Sequence, residues 1–239
     1  MLDRARDEIL ARLSDTDTML DVGGWADPLE RADWVIDLMP YETRGLYSRE
    51  GWVERPERPE ERFTSDTWVV RDLCDREPWP FEDGQFDFVV CAHTLEDVRD
   101  PLWVCAEMQR VGRAGYIEVP SRLEEQSHGV YGDFVGWPHH HWLIDVDDDS
   151  IEFVFKDHEI HARPECFFPR AFWEQLSDED RVQALWWEGS IRCSERIFLE
   201  ERPHERYLPE LVSRELKRRP LPQEGRLASL SRRLRRAGS

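Results

Sequence analysis

Lysine is almost missing from this 239-residue chain: of its 32 basic residues only Lys156 and Lys217 are lysines. Long apolar runs are missing as well. None approaches the roughly 18 residues that a helix needs to span a bilayer. The opening MLDRARDEILARL is charged throughout, so neither a signal peptide nor a membrane anchor is expected. Cysteine is sparse. Cys74, Cys91, Cys105, Cys166 and Cys193 are scattered with no pair at metal or redox spacing, which points to inert thiols in a reduced, cytoplasmic protein.

Basic charge is scarce in the body of the chain and concentrated at its end. The formal net charge is −19. From Arg202 onward 11 Lys/Arg face 4 Asp/Glu, a net +7, while the preceding residues hold 21 against 47, a net −26. An acidic body repels phosphates, which argues against a broad nucleic-acid footprint. A chain of this length buries one substantial core. The expectation is one domain over 1–201, followed by a basic tail over 202–239 that is poorly ordered or marginally helical.

What is present alternates between strand and helix patterns. Leu2, Ala5, Ile9 and Leu13 recur at helical spacing over residues 2–14. A strand at 18–22 follows, then Trp34-Val35-Ile36 ending in Asp37, with little room and a Pro28 between them, so the first crossover is expected to be abbreviated or a loop. Residues 40–66 contain ERPERPEER and read as a polar loop or lid. TWVVRD is a third strand ending at Asp72. Phe86 to Ala92 is continuously apolar, as buried parallel strands are. DPLWVCAEMQRV has helical period, and AGYIEVP is a fifth strand closed by Pro120. This order argues for βαβ units and a parallel sheet. Beyond a loop over 121–141, WLIDV-DDDS-IEFVFK reads as a β-hairpin, FPRAFWEQL as a helix, and VQALWWEG with SIRCSERIFLE as two final strands joined at Gly189.

The run TMLDVGGWADP, Thr18 to Pro28, is the densest local signal. An apolar strand carrying Asp21 enters the pair Gly23-Gly24, and glycine alone turns freely at positive φ and lets a backbone approach a ligand. In doubly wound sheets such turns lie at the carboxyl ends of strands, where ligands bind. A glycine pair by itself marks only a turn.

The composite is more specific. LDVGG, an acid closing the next strand (Asp37), DLCDREPWPFEDGQFDFVVCAHTLEDVRDP and then RVGRAGYIEVP resemble the class I S-adenosylmethionine-dependent methyltransferases, and within them the small-molecule and glycan-modifying branch called type 11. The resemblance covers about residues 16–120, with 182–199 as a candidate extension. It implies an α/β, Rossmann-like methyltransferase fold: a mostly parallel sheet with a C-terminal antiparallel hairpin and a β-hairpin insertion. It also implies an enzyme using S-adenosylmethionine. Asp21 would hold the glycine loop or meet the cofactor's amino group, and Gly23 and Gly24 would admit its methionine portion. Trp25 would pack on it or partly fill its site. Asp37, with Leu38 beside it, would accept from the ribose hydroxyls. Asp72 would meet the adenine amino group with Leu73 flanking the ring, and His93 would shape the pocket. Two departures stand out: the shortened first crossover, and Glu96-Asp97 where Glu-His is common.

The second signal is GWPHHHW, Gly136 to Trp142, within the stretch 121–170 where the resemblance implies an acceptor-binding insertion. In an extended segment His139 and His141 share a face and His140 points away. A general base from His139 or His141 suits a hydroxyl acceptor. A metal set drawn from His128, Asp145, His158 and His161 with His139 and His141 lacks compact spacing, and consecutive histidines rarely share one ion, so no metal is assigned. A hydrogen-bonded polar loop is the alternative.

Tyr131, Phe134, Trp137 and Trp142 suit either sugar stacking or plain core. In the tail, Arg232, Arg233, Arg235 and Arg236 with Leu227, Leu230 and Leu234 suit either peripheral contact with an anionic membrane or a solvated terminus. The leading reading is O-methylation of a small molecule or glycan, with N- and C-methylation left open. The alternatives are a non-catalytic scaffold docking through its tail and a nicotinamide-dependent oxidoreductase. The latter lacks the third glycine of the dinucleotide fingerprint.

Overall fold

The computed structural model describes residues 1–45, 47–48, 51–52, 61–199 and 204–221. Helix α1 (Asp3–Arg12) precedes strands β1 (Met19–Val22) and β2 (Trp34–Asp37). Residues 23–33 between these strands contain no helix, as the short spacing predicts. Two short strands, β3 (Tyr47–Ser48) and β4 (Gly51–Trp52), pair with each other inside the polar 40–66 segment, whose residues 53–60 lie outside the described ones. The chain continues through β5 (Trp68–Val70), β6 (Phe86–Ala92), α2 (Pro101–Val111) and β7 (Gly112–Pro120). Helix α2 starts where its sequence says it should. Asp100 caps it by accepting from the Trp103 amide at 3.0 Å, and Pro101 occupies the first turn, where no donor is needed.

The insertion holds α3 (Arg122–Glu125), the antiparallel hairpin of β8 (Trp142–Val146) and β9 (Ser150–Phe155), α4 (Glu159–Ala162) and α5 (Arg170–Trp173). The FPRAFWEQL helix is only this single turn, pinned by Phe172 stacked on Phe168 at 4.2 Å. Strands β10 (Val182–Glu188) and β11 (Arg192–Glu195) and helix α6 (His204–Arg218) complete the described chain.

The main sheet runs β10-β7-β6-β1-β2-β5, parallel except for β10. Alternation along its strands builds a core on each face. Leu20, Ile36, Val89 and Cys91 pack beneath Val104, Cys105 and Met108 of α2. Met19, Val35, Phe88 and Val90 pack beneath Ala5 and Ile9 of α1. Asp21 shares the α1 face with Met19, two residues away, so its carboxylate is enclosed with apolar neighbours.

One expectation changes here, and another narrows to its helical alternative. The terminal strands do not form a hairpin: β10 pairs with β7, whereas β11 joins β9 in parallel in a second, three-stranded sheet. Ile191 between them is drawn into the core, and its amide donates to Gln109 of α2 at 2.8 Å, which carries the chain across to the insertion. The start of the tail is also ordered. Residues 204–218 form a helix because Leu208 and Val212, one turn apart, are both buried. The arginine- and leucine-rich run from Arg226 lies outside the described residues. Among the described residues no helix is long and apolar enough to cross a membrane.

Candidate active site

The carboxyl ends of four neighbouring parallel strands, β6, β1, β2 and β5, carry His93, Gly23-Gly24, Asp37-Leu38 and Asp72-Leu73 respectively. With strands ~4.8 Å apart, three steps give an edge of roughly 14 Å lined by those residues. The sequence-derived cofactor residues therefore come together along one edge of the sheet, although they fall in four separate segments.

Local chemistry explains the glycine turn. Gly23 adopts φ +74°, its amide donates to the Ile36 carbonyl at 2.9 Å, and a Cβ there would lie 2.2 Å from Thr94 Oγ1. A Cβ on Gly24 would lie 2.6 Å from Asp21 Oδ2. The chain's own packing demands both glycines. The acids act as braces on this loop. Asp21 is buried and accepts from the Leu29 amide at 2.8 Å, and burial pushes its carboxyl up to about 7 against that bond. Asp37 accepts from the Trp25 amide at 3.1 Å and the Met39 amide at 2.8 Å, and burial raises its pKa despite them. A carboxylate offers about four acceptor sites, so Asp37 retains capacity for a ligand hydroxyl.

The remaining edge residues differ in what they offer. Trp25 packs with the cluster under α1 and donates its indole N–H to Thr43 at 3.0 Å, so it is a wall of the loop and no plug in the cavity. Leu38 is 63 % exposed at the edge. Asp72 accepts from the Cys74 amide at 2.9 Å and pairs with Arg99 at 2.7 Å; these outweigh burial and lower its pKa. Leu73 is corrected: its side chain is buried in the core on the α2 face and offers no exposed flank for a ring.

A cavity of about 190 Å³ opens at the ends of β1 and β6, beneath α1, lined by Asp21, Gly23, Gly24, Leu29, His93 and Arg6 among others. Ligand sites for drug-sized molecules run to ~300 Å³ and more. The enclosed space is therefore smaller than a whole drug-sized ligand needs.

His93 guards this cavity in a left-handed conformation, φ 53°, the only positive φ outside glycine among the described residues. Histidine visits that region more readily than most residues. Its ring Nε2 donates to Glu118 at 3.1 Å, and Nδ1 faces Glu96 at 3.6 Å. Burial opposes protonation of the ring, but the two carboxylates outweigh it and lift the pKa to about 9. Glu118 and Arg6 were not picked out from the sequence, and Glu96 was noted only as part of the Glu96-Asp97 departure. The signal for Glu118 was an acid inside the apolar strand GYIEVP.

The histidine loop differs from expectation. The segment is a turn at Pro138-His139, with the His140 amide donating to the Trp137 carbonyl at 3.3 Å, and it is not extended. His139 and His140 therefore converge, their rings 4.6 Å apart, with each Nε2 3.9 Å from Asp97 Oδ1. His141 is the residue left out. Its backbone bridges Glu96 and Lys156, and no hydrogen bond or ion pair of its ring is found among the described residues. The His140 side chain is 7 % exposed and donates Nδ1–H to Glu125 at 2.8 Å; burial lowers its pKa but Glu125 raises it further. His139 is 57 % exposed, and burial of part of its ring, with His140 beside it, lowers its pKa. Asp97 occupies the second place of the Glu96-Asp97 departure noted above, and burial lifts its carboxyl to about 7.

Residues 52–117 match a family model described as a methyltransferase domain. That segment spans β5, β6, α2 and most of β7, so it bears out the resemblance while leaving the glycine turn and Asp37 outside the match. No relative is found among curated proteins. Among solved structures the chain is similar to the MccD protein (15 % identity, 50 % of this chain and 54 % of that one, TM-score 0.37). It is also similar to a SAM-dependent methyltransferase from Aquifex aeolicus (18 %, 49 % and 64 %, 0.33) and to the [4+2]-cyclase SpnF (20 %, 49 % and 43 %, 0.33). The chain spans about half to two thirds of the length of the first of these structures.

Proposed function

We propose that this chain is an S-adenosylmethionine-dependent methyltransferase that methylates an oxygen of a small molecule or glycan. The observation that carries the reading is the alignment of Gly23, Asp37, Asp72 and His93 on adjacent strand ends, within a chain whose β5–β7 segment matches the methyltransferase-domain family. The residues suit the cofactor. The cavity under α1 brings Arg6 together with the acidic side chains of Asp3 and Asp27, for an amino-acid end. Asp37 keeps acceptor capacity for hydroxyls, and the exposed Leu38 offers an apolar face beside Asp72. When bound, this cofactor supplies a methyl group already activated by its sulfonium.

The chain's own part is then positioning, exclusion of water and removal of one proton. His93 closes the inner end of the cleft, fixed to Glu118 through both backbone and ring. The acceptor side belongs to the Asp97–His139–His140 cluster, on the loop after β6 and the insertion facing it. His139 Nε2 is the proton acceptor there: it is half-exposed and held neutral near pH 7 by burial and by His140. His140, fixed by Glu125, orients it.

Calorimetry tests this reading. S-adenosylhomocysteine should bind the purified protein at micromolar strength, and Asp37→Ala should abolish that binding. Absence of binding to well-folded protein overturns it. Tight NADH binding in its place would favour the nicotinamide-dependent alternative.

A further inference from the structure

The structure assigns a second property to the histidine turn: we infer that Asp97 Oδ1, His139 Nε2 and His140 Nε2 form a binding site for one divalent transition-metal ion of the zinc class. These three atoms lie within 4.8 Å of one another, and Asp97 Oδ1 is 3.9 Å from each nitrogen. Bonds of ~2.0–2.2 Å in tetrahedral geometry require ligand edges of about 3.4 Å. The side chains therefore need to close by only about half an ångström on the Asp97 edges, and two of the three, Asp97 and His139, are exposed enough to move.

An independent feature marks the site as built. Metal-bound histidines usually donate their other ring N–H to a carboxylate, which fixes the tautomer and aims the lone pair. His140 does this: its Nδ1–H donates to Glu125 at 2.8 Å. Glu125 is itself buried and held by Lys156 Nζ at 2.7 Å, so the orienting group is rigid. A donor set of two imidazoles and one carboxylate suits zinc or cobalt better than magnesium or calcium, which prefer oxygen ligands. Consecutive histidines converge here because the turn at Pro138-His139 breaks the alternation that an extended strand would impose.

Three protein ligands leave a coordination position open, as in sites that bind a reacting oxygen. Resting on the methyl-transfer reading, the acceptor's hydroxyl would take that position, and a bound ion would lower its pKa. With His139 Nε2 engaged by the ion, the hydroxyl proton would leave to solvent at this exposed position, and the ion would stabilise the resulting alkoxide until the methyl group is transferred to it. Binding of the ion itself does not depend on that reading.

The test is equilibrium dialysis with zinc chloride and cobalt absorption spectroscopy on the full chain. Wild type should take up one equivalent of zinc, and cobalt should give the visible bands of a four- or five-coordinate site. Asp97→Asn and His139→Ala, both at exposed positions that leave folding intact by circular dichroism, should each weaken binding at least roughly tenfold. His141→Ala should bind as wild type does. The inference is overturned if wild type takes up no zinc, or if both ligand variants bind it unchanged. S-adenosylhomocysteine binding measured on the same samples separates the two readings: its loss with zinc uptake intact sinks methyl transfer and leaves the metal site standing.

Discussion

His93 is tied to Glu118 twice, through its backbone amide to the Glu118 carbonyl at 2.9 Å and through its ring to the carboxylate at 3.1 Å. The tie joins the left-handed residue that follows β6 to the carboxyl-terminal third of β7. Tyr116 adds its hydroxyl to the same carboxylate at 2.7 Å. Burial raises the Glu118 pKa, but the bonds from His93 and Tyr116 overcome it and hold the carboxyl down at about 2.

This pair sets a pH window. The His93 contribution is fully present below about pH 6.5 and is lost as pH rises through about 9. The Glu118 contribution is present above pH 4.5 and is lost as pH falls toward about 2. Thermal melts should show wild type losing stability between pH 7 and 10 relative to His93→Asn, which tolerates the left-handed backbone but does not titrate. Parallel profiles would refute the tie. Because the ring is 41 % exposed, solvent screening keeps the effect modest.

Asp21 runs opposite to Glu118 and in the same direction as His93. Its folded pKa of about 7 lies above its ordinary 3.8, so the folded chain holds a proton there that the unfolded chain releases. Stability from this group falls as pH rises from about 4 through about 7. Asp21→Asn keeps an acceptor for the Leu29 amide and should flatten that slope. Urea titrations at pH 5 and pH 8 check it: the variant should gain on wild type at the higher pH.

Asp37→Ala should destabilise the chain by about 1–3 kcal/mol, because the amides of Trp25 and Met39 lose their acceptor. Urea denaturation measures this without any ligand. An unchanged midpoint would mean that the carboxylate is not a brace.

Gly23→Ala should cost about 2 kcal/mol or more, since alanine is strained at φ +74° and its Cβ meets Thr94. Adding Thr94→Ala should recover the steric part only. A double-mutant cycle with no coupling would show that Thr94 does not set the residue type at position 23.

Leu208→Ala should cost about 2–5 kcal/mol if α6 is an integral part of the insertion's core, where Leu208 packs with Leu143 and Cys166. A neutral substitution would return this segment to the status of an appendage.

The sheet was legible because its strands are continuous apolar runs bounded by turns, as in Phe86–Ala92, and because Pro101 after Asp100 marks a helix start. The edge residues Asp37, Asp72 and His93 were legible for the same reason: they follow those runs directly. What was not legible depends on long-range packing. The hairpin at Gly189 looked local, but Ile191 follows the core instead of its sequence neighbour. The helix at 204–218 was legible only as marginal helicity, because of its charge and Pro209 and because only two buried apolar residues among the described ones, Leu208 and Val212, anchor it. The histidine pairing failed because a two-residue period was applied to a turn. Asp97, which gives those histidines their meaning, lies about forty residues away.

Three amides of the loop between β1 and β2 are already committed. The amide of Gly23 goes to Ile36, that of Trp25 to Asp37 and that of Leu29 to Asp21. A helix start in this place would present free N–H groups, the arrangement that captures phosphate. Here those three amides are taken, and the carboxyl groups of Asp21 and Asp37 brace the same turn. A ligand group set against those acids is favoured if it donates, as an ammonium or a sugar hydroxyl does, and opposed if it is a pyrophosphate.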